Sequence, residues 1–280
     1  MKNNRIVIEP GTADSNYWKD LWNYRGLFYF LAWRDILVRY KQTVIGVLWS
    51  VLRPLFAVLI MAFLGWISHV PTPPNVPRLL LVCAATLPWQ FFSSSFSDAS
   101  NSLLANSNLL TKVYFPRLIV PASTVIVCLI DFAISFVILI GIMVYYQYMP
   151  DLKILMLPLF LLLGLITSVG TGLYIASLNV KYRDFRIIVP FIVQFGMLIS
   201  PIAFSSSQVY NSKDIPQFAK YLYSMNPMVS VIDGFRWSIL RGTTPIYMPG
   251  FLLSAGVSLL FLIIGVRYFR KMEKTFADVI

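Results

Sequence analysis

The sequence of 280 residues contains few charged groups and few of the residues that build metal or redox centres. Aspartate, glutamate, lysine and arginine make up 12% of the chain, about half of their share in a soluble domain. His69 is the single histidine, and the two cysteines, Cys83 and Cys128, lie inside apolar segments without CxxC spacing. These shortages argue against a soluble domain, a metal centre and a disulfide framework.

Motifs for nucleotide binding and hydrolysis are also lacking. No GxxxxGK[ST] loop, HExxH or GxSxG occurs, and the dipeptide Gly-Lys is absent from the whole sequence. The apolar segments contain a single acidic residue, Asp131, which is too few for a proton relay. We therefore expect no catalytic residue, metal or cofactor in this chain, so that any transport would take its energy from a separate protein.

Long apolar runs are what the sequence has in abundance. Hydrophobic residues make up 58% of the chain and the mean hydropathy is +0.71. A helix needs about 20 apolar residues to cross the hydrocarbon of a bilayer. The sequence therefore predicts an all-α polytopic membrane protein. Its six spans are expected at Val44–Ile67, Leu79–Phe96, Leu118–Tyr146, Leu155–Leu178, Ile187–Phe204 and Phe251–Phe269.

The distribution of positive charge predicts the orientation of the spans. Most of the 23 lysine and arginine residues precede the first span, follow the last, or lie in the loops 97–117 and 179–186. Such residues are enriched on the cytoplasmic side, so we expect both termini there. The predicted division is an N-terminal region 1–43, a membrane domain 44–269 and a tail 270–280. The net charge of +11 then reflects topology and attraction to anionic lipid, rather than nucleic-acid binding.

Residues 17–40 are predicted to form a helix that lies in the membrane interface. A basic, aromatic-rich amphipathic helix is typical of the headgroup layer. The sequence leaves open whether this helix is a plain anchor or contributes to binding a substrate headgroup. Its apolar face would contain Trp18, Leu21, Trp22, Tyr29, Ala32, Trp33, Ile36 and Tyr40.

The stretch 205–250 between the last two predicted spans is divided at Asn226-Pro227 into two short pieces. The second piece, 228–240, is mostly apolar but carries Asp233 and Arg236. It is too short to cross a bilayer and too apolar to remain in water. We therefore predict a re-entrant pair of half-helices on the outer side.

Two charged residues, Arg53 and Asp131, fall inside predicted spans and need partners there. They could pair with each other, extend to the interface, or line a water-filled path, and the sequence leaves these alternatives open. The aromatic residues of the outer half, among them Phe204 and Tyr210, are similarly ambiguous. They could form an ordinary interfacial belt or offer faces on which sugar rings stack.

Six segments, in this order and spacing, carry a resemblance to a known family. The chain resembles the membrane subunit of type-2 ABC exporters of bacterial surface polysaccharides, which include O-antigen, capsule and teichoic-acid permeases, and it is most similar to the O-antigen type. The segments are Arg39–Leu55, Leu87–Phe92, Ala99–Ala122, Asn179–Pro190, Ser200–Pro201 and Asn226–Leu240.

The resemblance implies a half-transporter. Two copies would form the conduit, and two separate ATPase subunits, which bind ATP and Mg²⁺, would attach from the cytoplasm. Residues 106–117 would form the coupling helix that docks on the ATPase, with its apolar side chains at 109, 110 and 113–115 exposed, and residues 182–184 would make a second contact. The implied coupling residues are Leu109, Leu110, Lys112, Val113, Tyr114, Arg183 and Asp184.

The implied cargo is a polysaccharide on an undecaprenyl-pyrophosphate lipid, moved across the bacterial inner membrane. Arg34, Arg39 and Lys41 are the candidates for attracting the pyrophosphate, since a guanidinium fork suits phosphate oxygens. By the same resemblance, spans one and five line the conduit and 205–250 forms its outer gate. The candidate conduit and gate residues are Arg53, Asp131, Phe204, Tyr210, Asp233 and Arg236.

Two other functions stay open at this point. One is a type-2 ABC permease for a drug or a lipid. The other is a membrane-embedded glycan polymerase or ligase, which would need a large outward loop with catalytic acids, whereas 205–250 contains only Asp214 and Asp233 as acids. The expected partners are a second copy of the chain, two ATPase subunits, the lipid-linked polysaccharide and membrane lipids, without nucleic acid.

Overall fold

A computed structural model describes residues 17–41, 46–67, 69, 71–182 and 184–276. Every regular element in these residues is helical, and no β-strand occurs among them. The helices are α1 Tyr17–Asn23, α2 Arg25–Lys41, α3 Gly46–Ile67, α4 Arg78–Ala105, α5 Ser107–Lys112, α6 Ile119–Tyr145, a 3₁₀ helix Leu152–Met156, α7 Leu157–Lys181, α8 Phe185–Ile199, α9 Ser206–Asn211, α10 Gln217–Ser224, α11 Pro227–Ile239 and α12 Met248–Glu273.

Within the described ranges, five helical stretches are long and apolar enough to cross a membrane: most of α3, all of α4, α6 and α12, and α7 together with the 3₁₀ helix before it. They contain 20 to 30 residues each, which confirms the prediction of a polytopic helical membrane protein. The fifth predicted span, 187–204, corresponds to α8, which has 15 residues. Such a helix is about 22 Å long, shorter than the hydrocarbon layer, so the count of six spans stays a prediction.

Proline positions explain where several of these helices begin. Pro77, in an extended conformation, immediately precedes α4, and Pro227 is the first residue of α11. Proline suits the first helical turn, where the missing N–H would have no partner in any case. At α11 the side chain of Asn226 accepts a hydrogen bond from the Met228 amide at 3.1 Å. The break predicted at Asn226-Pro227 is thus the capped N-terminus of α11.

The second predicted span corresponds to a helix that is longer than the span. We expected this span to end at Phe96, but α4 continues through the polar stretch after it to Ala105. Polar side chains there bond to the helix itself: Asn101 Nδ2 donates to Ser97 O at 2.9 Å, and Ser102 Oγ donates to Ala99 O at 2.7 Å. Because these side chains are satisfied locally, the polar stretch remains helical. The loop predicted at 97–117 therefore begins only at Asn106.

Helix α4 is the centre of the bundle. More than three quarters of its apolar segment is buried, and it packs against α3, α6, α7, α8 and α11. Helix α7 in turn packs along α12, and the two backbones lie close together at Gly170 and Gly265. A Cβ atom on Gly170 would lie 2.5 Å from Leu262 N. Small residues at this crossing let the two backbones touch, as is common between membrane helices.

Helices α3 and α8 differ from α4 because they expose rows of large apolar side chains. In α8 Val189 is the single buried residue among those described, whereas Phe191, Phe195 and Leu198 are more than half exposed. Phe56 and Phe63 on α3 are exposed to a similar extent. In a membrane such faces contact lipid or another helix.

The region 205–250 contains three short helices, α9, α10 and α11, rather than the two predicted pieces. Helix α11 is almost wholly buried and packs against α4, α7 and α12. It corresponds closely to the predicted second half-helix, 228–240. The predicted re-entrant path through the membrane stays a prediction.

Candidate functional site

A cleft of about 440 Å³ opens between α2, α3, α4 and α6. Its lining combines eight charged, hydroxyl or amide side chains with six that are apolar or carry sulfur. Such a mixture suits a polar ligand that must be shielded from hydrocarbon. The lining residues are Arg39, Trp49, Ser50, Arg53, Pro54, Leu87, Gln90, Phe91, Ser93, Ser94, Cys128, Asp131, Phe132 and Ser135.

Arg39, near the end of α2, is the centre of a charge cluster in this cleft. Its Nη1 lies 2.8 Å from Asp131 Oδ2 on α6, and its Nη2 lies 3.3 Å from Asp98 Oδ2 on α4. Burial acts to lower the pKa of Arg39, but the charges of Asp131 and Asp98 outweigh it and raise the pKa. The cluster therefore joins α2 to both α4 and α6.

Tyr40 adds a second link between α2 and Asp131. Its hydroxyl donates a hydrogen bond to Asp131 Oδ1. Burial and this hydrogen bond raise the pKa of Tyr40 to about 12, so the hydroxyl keeps its proton and remains a donor. Both carboxylate oxygens of Asp131 are thus bound by residues of α2.

The possible ion pair between Arg53 and Asp131 is not formed. Asp131 pairs with Arg39, and the ion pairs among the described residues include none to Arg53. Arg53 is exposed on α3 and lines the same cleft. Arg53 and Asp131 line the same cleft without pairing, and a water-filled path along them stays a prediction.

The three predicted headgroup residues have different surroundings. Arg34 pairs with Asp35 at 2.7 Å and donates to Asn106 Oδ1 at 2.8 Å. Arg39 lies in the charge cluster, and Lys41 is exposed at the end of α2. Both arginines therefore already bind protein oxygens.

The predicted coupling segment is only partly exposed, and here the sequence-based expectation was wrong. Leu110 and Phe115, expected on the surface, are 5% and 4% exposed, whereas Val113 and Tyr114 are 51% and 68% exposed. Leu109 is half-buried and Lys112 is exposed. The buried side chains belong to an apolar cluster, here called the α5 cluster: Leu31, Leu103, Leu110, Phe115, Ile119, Val120, Leu173, Ala176, Val180, Phe269 and Phe276.

The second predicted coupling contact can be described only in part. Asp184 is exposed immediately before α8, and Tyr182 beside it is also exposed. Arg183 lies outside the described residues.

Two of the predicted gate residues, Asp233 and Arg236, are buried within α11. Arg236 is 1% exposed, and its Nη1 and Nη2 donate to the carbonyl oxygens of Phe204 and Ile202, each at 2.8 Å. Its Nε donates to Leu81 O on α4 at 3.3 Å. Arg236 thus holds together α11, α4 and the segment after α8, a role that the sequence did not reveal.

The other two gate candidates lie near the surface of the same region. Phe204 is half-buried and contributes its carbonyl oxygen to Arg236. Tyr210 is half-buried, stacks on Tyr247 with ring centres 4.4 Å apart, and lies 3.0 Å from Ser224 Oγ. Tyr210 therefore fixes α9 against α10 and the start of α12.

Sequence reasoning assigned no role to several residues of the cleft. Asp98, which binds Arg39 but does not line the cleft, was visible in the polar stretch after Phe96. Its position on a longer α4 was not visible. Trp49, Gln90 and Ser94 became recognisable only when α3 and α4 were placed side by side. Among the described residues no group of three or more histidine, cysteine or acidic side chains could hold a metal ion.

Known proteins resemble this chain over most of its length. The ABC-2 type transporter family matches residues 26–240. An O-antigen export system permease protein, RfbA, of Myxococcus xanthus is 26% identical over 260 residues, which cover 93% of this chain and 97% of the relative. An RfbA protein of Klebsiella pneumoniae is 27% identical over 254 residues, 88% of this chain and 92% of the relative. A polysialic acid transport protein, KpsM, of Escherichia coli is 27% identical over 256 residues, 86% of this chain and 91% of the relative.

The matched range contains the whole cleft, α5 and α11, so the resemblance extends to each of the candidate regions. This agrees with the family predicted from the six sequence segments, and the chain belongs to the ABC-2 type transporter family.

Proposed function

We propose that this chain is the membrane permease subunit of an ATP-driven exporter that moves lipid-linked polysaccharide, of the O-antigen type, across the bacterial inner membrane. The observation that carries the proposal is the similarity to O-antigen export permeases over about nine tenths of both chains. The lipid carrier would be undecaprenyl pyrophosphate. The polar cleft supports a cargo with a hydrated, anionic part.

Two copies would assemble through the exposed apolar faces of α3 and α8. Both faces carry bulky side chains, among them Phe56, Phe63 and Phe195, that a single copy leaves uncovered. With α8 as a sixth crossing and α9–α11 as the re-entrant outer region, both termini would lie in the cytoplasm. A conduit between the copies would then be polar or aromatic, because the transfer of a sugar hydroxyl into hydrocarbon without a hydrogen-bond partner costs several kcal/mol of free energy.

A separate ATPase would dock on the exposed side of the segment after α4. Lys112, Val113 and Tyr114 offer a basic and apolar surface there, and Tyr182 and Asp184 would form the second contact. Exposed apolar groups beside charges are typical of partner surfaces. ATP and Mg²⁺ would bind to the partner and not to this chain.

The structure supports a path by which such docking could act on the cleft. Helix α5 is held to α2 by the α5 cluster and by the hydrogen bond from Arg34 to Asn106. Near its end, helix α2 carries Arg39 and Tyr40, which bind Asp131 inside the cleft. A movement of α5 on ATP binding would therefore shift the wall of the cleft through α2.

The test is to delete the gene for this chain in its own bacterium and to measure surface polysaccharide. We expect loss of the surface polymer and accumulation of lipid-linked polysaccharide inside the cell, restored by the wild-type gene. Affinity purification from native membranes should yield an ATPase in equal amount. Normal surface polysaccharide in the deletion strain would contradict the proposal.

A second candidate cargo is capsular polysaccharide, because relatives named polysialic acid transport protein match at a similar identity. The same deletion strain distinguishes the two. Loss of capsule with intact O-antigen would favour the capsular cargo.

A further inference from the structure

Arg53 occupies an unusual position for a charged residue of a membrane helix. It is the eighth residue of α3, about 10 Å along the helix, and its side chain is exposed on a face that also exposes Phe56, Leu59 and Ile60. An uncompensated arginine in hydrocarbon is costly, and such residues typically mark an ion or substrate path. Arg53 therefore needs an anionic or hydrated partner beyond those that the described part of the chain supplies.

Asp131, the acidic residue that lines the cleft together with Arg53, is already bound by other residues, as is its neighbour in the charge cluster, Asp98. Asp131 is bound by Arg39 and Tyr40, and Asp98 is bound by Arg39. Arg39 in turn is enclosed by these two carboxylates. An anion that enters the cleft would therefore be repelled from the Arg39 side by two carboxylates and attracted by the guanidinium of Arg53.

The remainder of the cleft is built for a small polar group rather than a polymer. Its volume of about 440 Å³ lies at the small end of the range for sites that bind single small molecules. The hydroxyl groups of Ser50, Ser94 and Ser135 and the amide of Gln90 line it, and Trp49 offers a half-exposed ring. Hydroxyls, an amide and an indole together suit one sugar ring.

We propose that Arg53 binds the diphosphate of the lipid-linked glycan, that the cleft holds the sugar next to it, and that Arg39 is a positioning residue that shapes the cleft through Asp131 and Asp98. The inference rests on the proposed function and reassigns the headgroup role from Arg39 to Arg53. The polymer, too large for the cleft, would extend from it into the conduit.

The test uses the purified complex of the permease with its ATPase in lipid nanodiscs, and a synthetic polyprenyl diphosphate that carries one sugar as the probe. Charge-assisted hydrogen bonds are strong enough that Arg53→Gln should weaken binding of this probe about ten-fold to a hundred-fold. Arg53→Lys, which keeps the charge but not the fork, should fall between. The matched control is Arg186→Gln, which removes an exposed arginine of α8 outside the cleft and should bind as the wild type.

A second probe, the corresponding polyprenyl monophosphate sugar, identifies the group that Arg53 binds. The wild type should prefer the diphosphate, and Arg53→Gln should lose most of this preference. The melting temperature separates binding from folding: Arg39→Gln should lower it, whereas Arg53→Gln should leave it unchanged.

Three results would overturn the inference. Unchanged binding of the probe by Arg53→Gln, in a complex that still exports polysaccharide, would remove the inference and leave the proposed function intact. A melting temperature lowered as much by Arg53→Gln as by Arg39→Gln would make Arg53 a structural residue. Failure of the wild-type complex to bind the probe or to export polysaccharide would remove the proposed function together with the inference.

Discussion

At the scale of single residues, the structure shows two different ways of keeping an arginine within a largely apolar bundle. Arg39 forms ion pairs with two carboxylates, so the positive charge of its guanidinium is balanced by negatively charged side chains. Arg236 is buried against three backbone carbonyl oxygens, so its donors are satisfied although no carboxylate lies within ion-pair distance among the described residues. Both arginines bind protein groups from several helices, so their donors stabilise the packing of helices and are not directed at a ligand.

Asp131→Asn tests the first of these arrangements. The substitution removes one of the two negative charges around Arg39 and weakens the acceptor for Tyr40. Since the pair is only partly buried, we expect a loss of about 1–2 kcal/mol in the free energy of unfolding. The measurement is the melting temperature of the purified protein in detergent.

Asp184→Asn is the matched control for that experiment, because it removes an exposed carboxylate and should leave the melting temperature unchanged. An Asp131→Asn protein as stable as the wild type would show that the charge cluster contributes little to holding α2 in place.

At the scale of elements, α5 shows how a short helix divides its apolar residues between two surfaces. Leu110 enters the α5 cluster with side chains of α2, α4 and α12, while Val113 and Tyr114 just after α5 remain outside. The apolar content of the segment 109–115 was evident from the sequence. Its division into a packed side and an exposed side was not.

Substitutions at Tyr114 and Leu110 should therefore have different consequences. Tyr114→Asp, at an exposed site, should detach the ATPase and abolish export while leaving the melting temperature of the permease unchanged. Leu110→Asp buries a charge in the α5 cluster and should destabilise the permease itself by several kcal/mol. Co-purification of the ATPase and thermal unfolding measure the two effects. An ATPase that stays bound to the Tyr114→Asp permease would exclude this surface from docking.

The crossing of α7 and α12 gives a second prediction for an element. Gly170→Ala places a methyl group against the α12 backbone at Leu262, so the two helices must move apart. We expect a lower melting temperature and weaker packing of α12.

Gly256→Ala, on α12 itself, is the comparison that isolates the cause. A Cβ there meets nothing within 4 Å, and alanine has the higher helix propensity by about 1 kcal/mol. This variant should be as stable as the wild type or slightly more stable. Equal melting temperatures for both variants would show that the close approach at Gly170 is not needed.

At the scale of the whole molecule, the uneven burial of the long helices is the main clue to assembly. Helix α4 is enclosed by the chain's own helices, whereas only 17% of the apolar segment of α3 is buried. Helix α8 is exposed on most of its surface. Two helices this exposed on one chain are consistent with an interface between two copies.

Cysteine cross-linking in native membranes tests this arrangement. In a background without Cys83 and Cys128, a cysteine in place of Phe56 on α3 or Phe195 on α8 should give dimers with a bifunctional thiol reagent. Val137→Cys on α6, also well exposed, is expected to face lipid and to remain monomeric. Dimers formed through position 137, but not through 56 or 195, would assign the interface to another face.

Much of the architecture followed from local sequence patterns. Apolar runs predicted α3, α6, α7 and α12 to within a few residues, because the length of a membrane helix is set by the hydrocarbon thickness. The segments of family resemblance predicted the ABC-2 type transporter family. The end of α4 was missed because hydrogen bonds from serine and asparagine to the helix backbone keep a polar stretch helical, which hydropathy does not register.

The candidate site depended on long-range contacts instead. Arg39, Asp98 and Asp131 are far apart in the chain and meet only because α2 packs against α4 and α6. The same packing places Arg53 in the cleft, where none of the carboxylates in the described part of the chain forms an ion pair with it. The sequence by itself determined that this protein is helical and membrane-bound. Whether a segment enters hydrocarbon as a helix depends on the length and hydrophobicity of that segment alone. The tertiary structure decided which charges pair, which apolar side chains stay exposed and where a polar ligand could enter. All three depend on which helix faces are brought together.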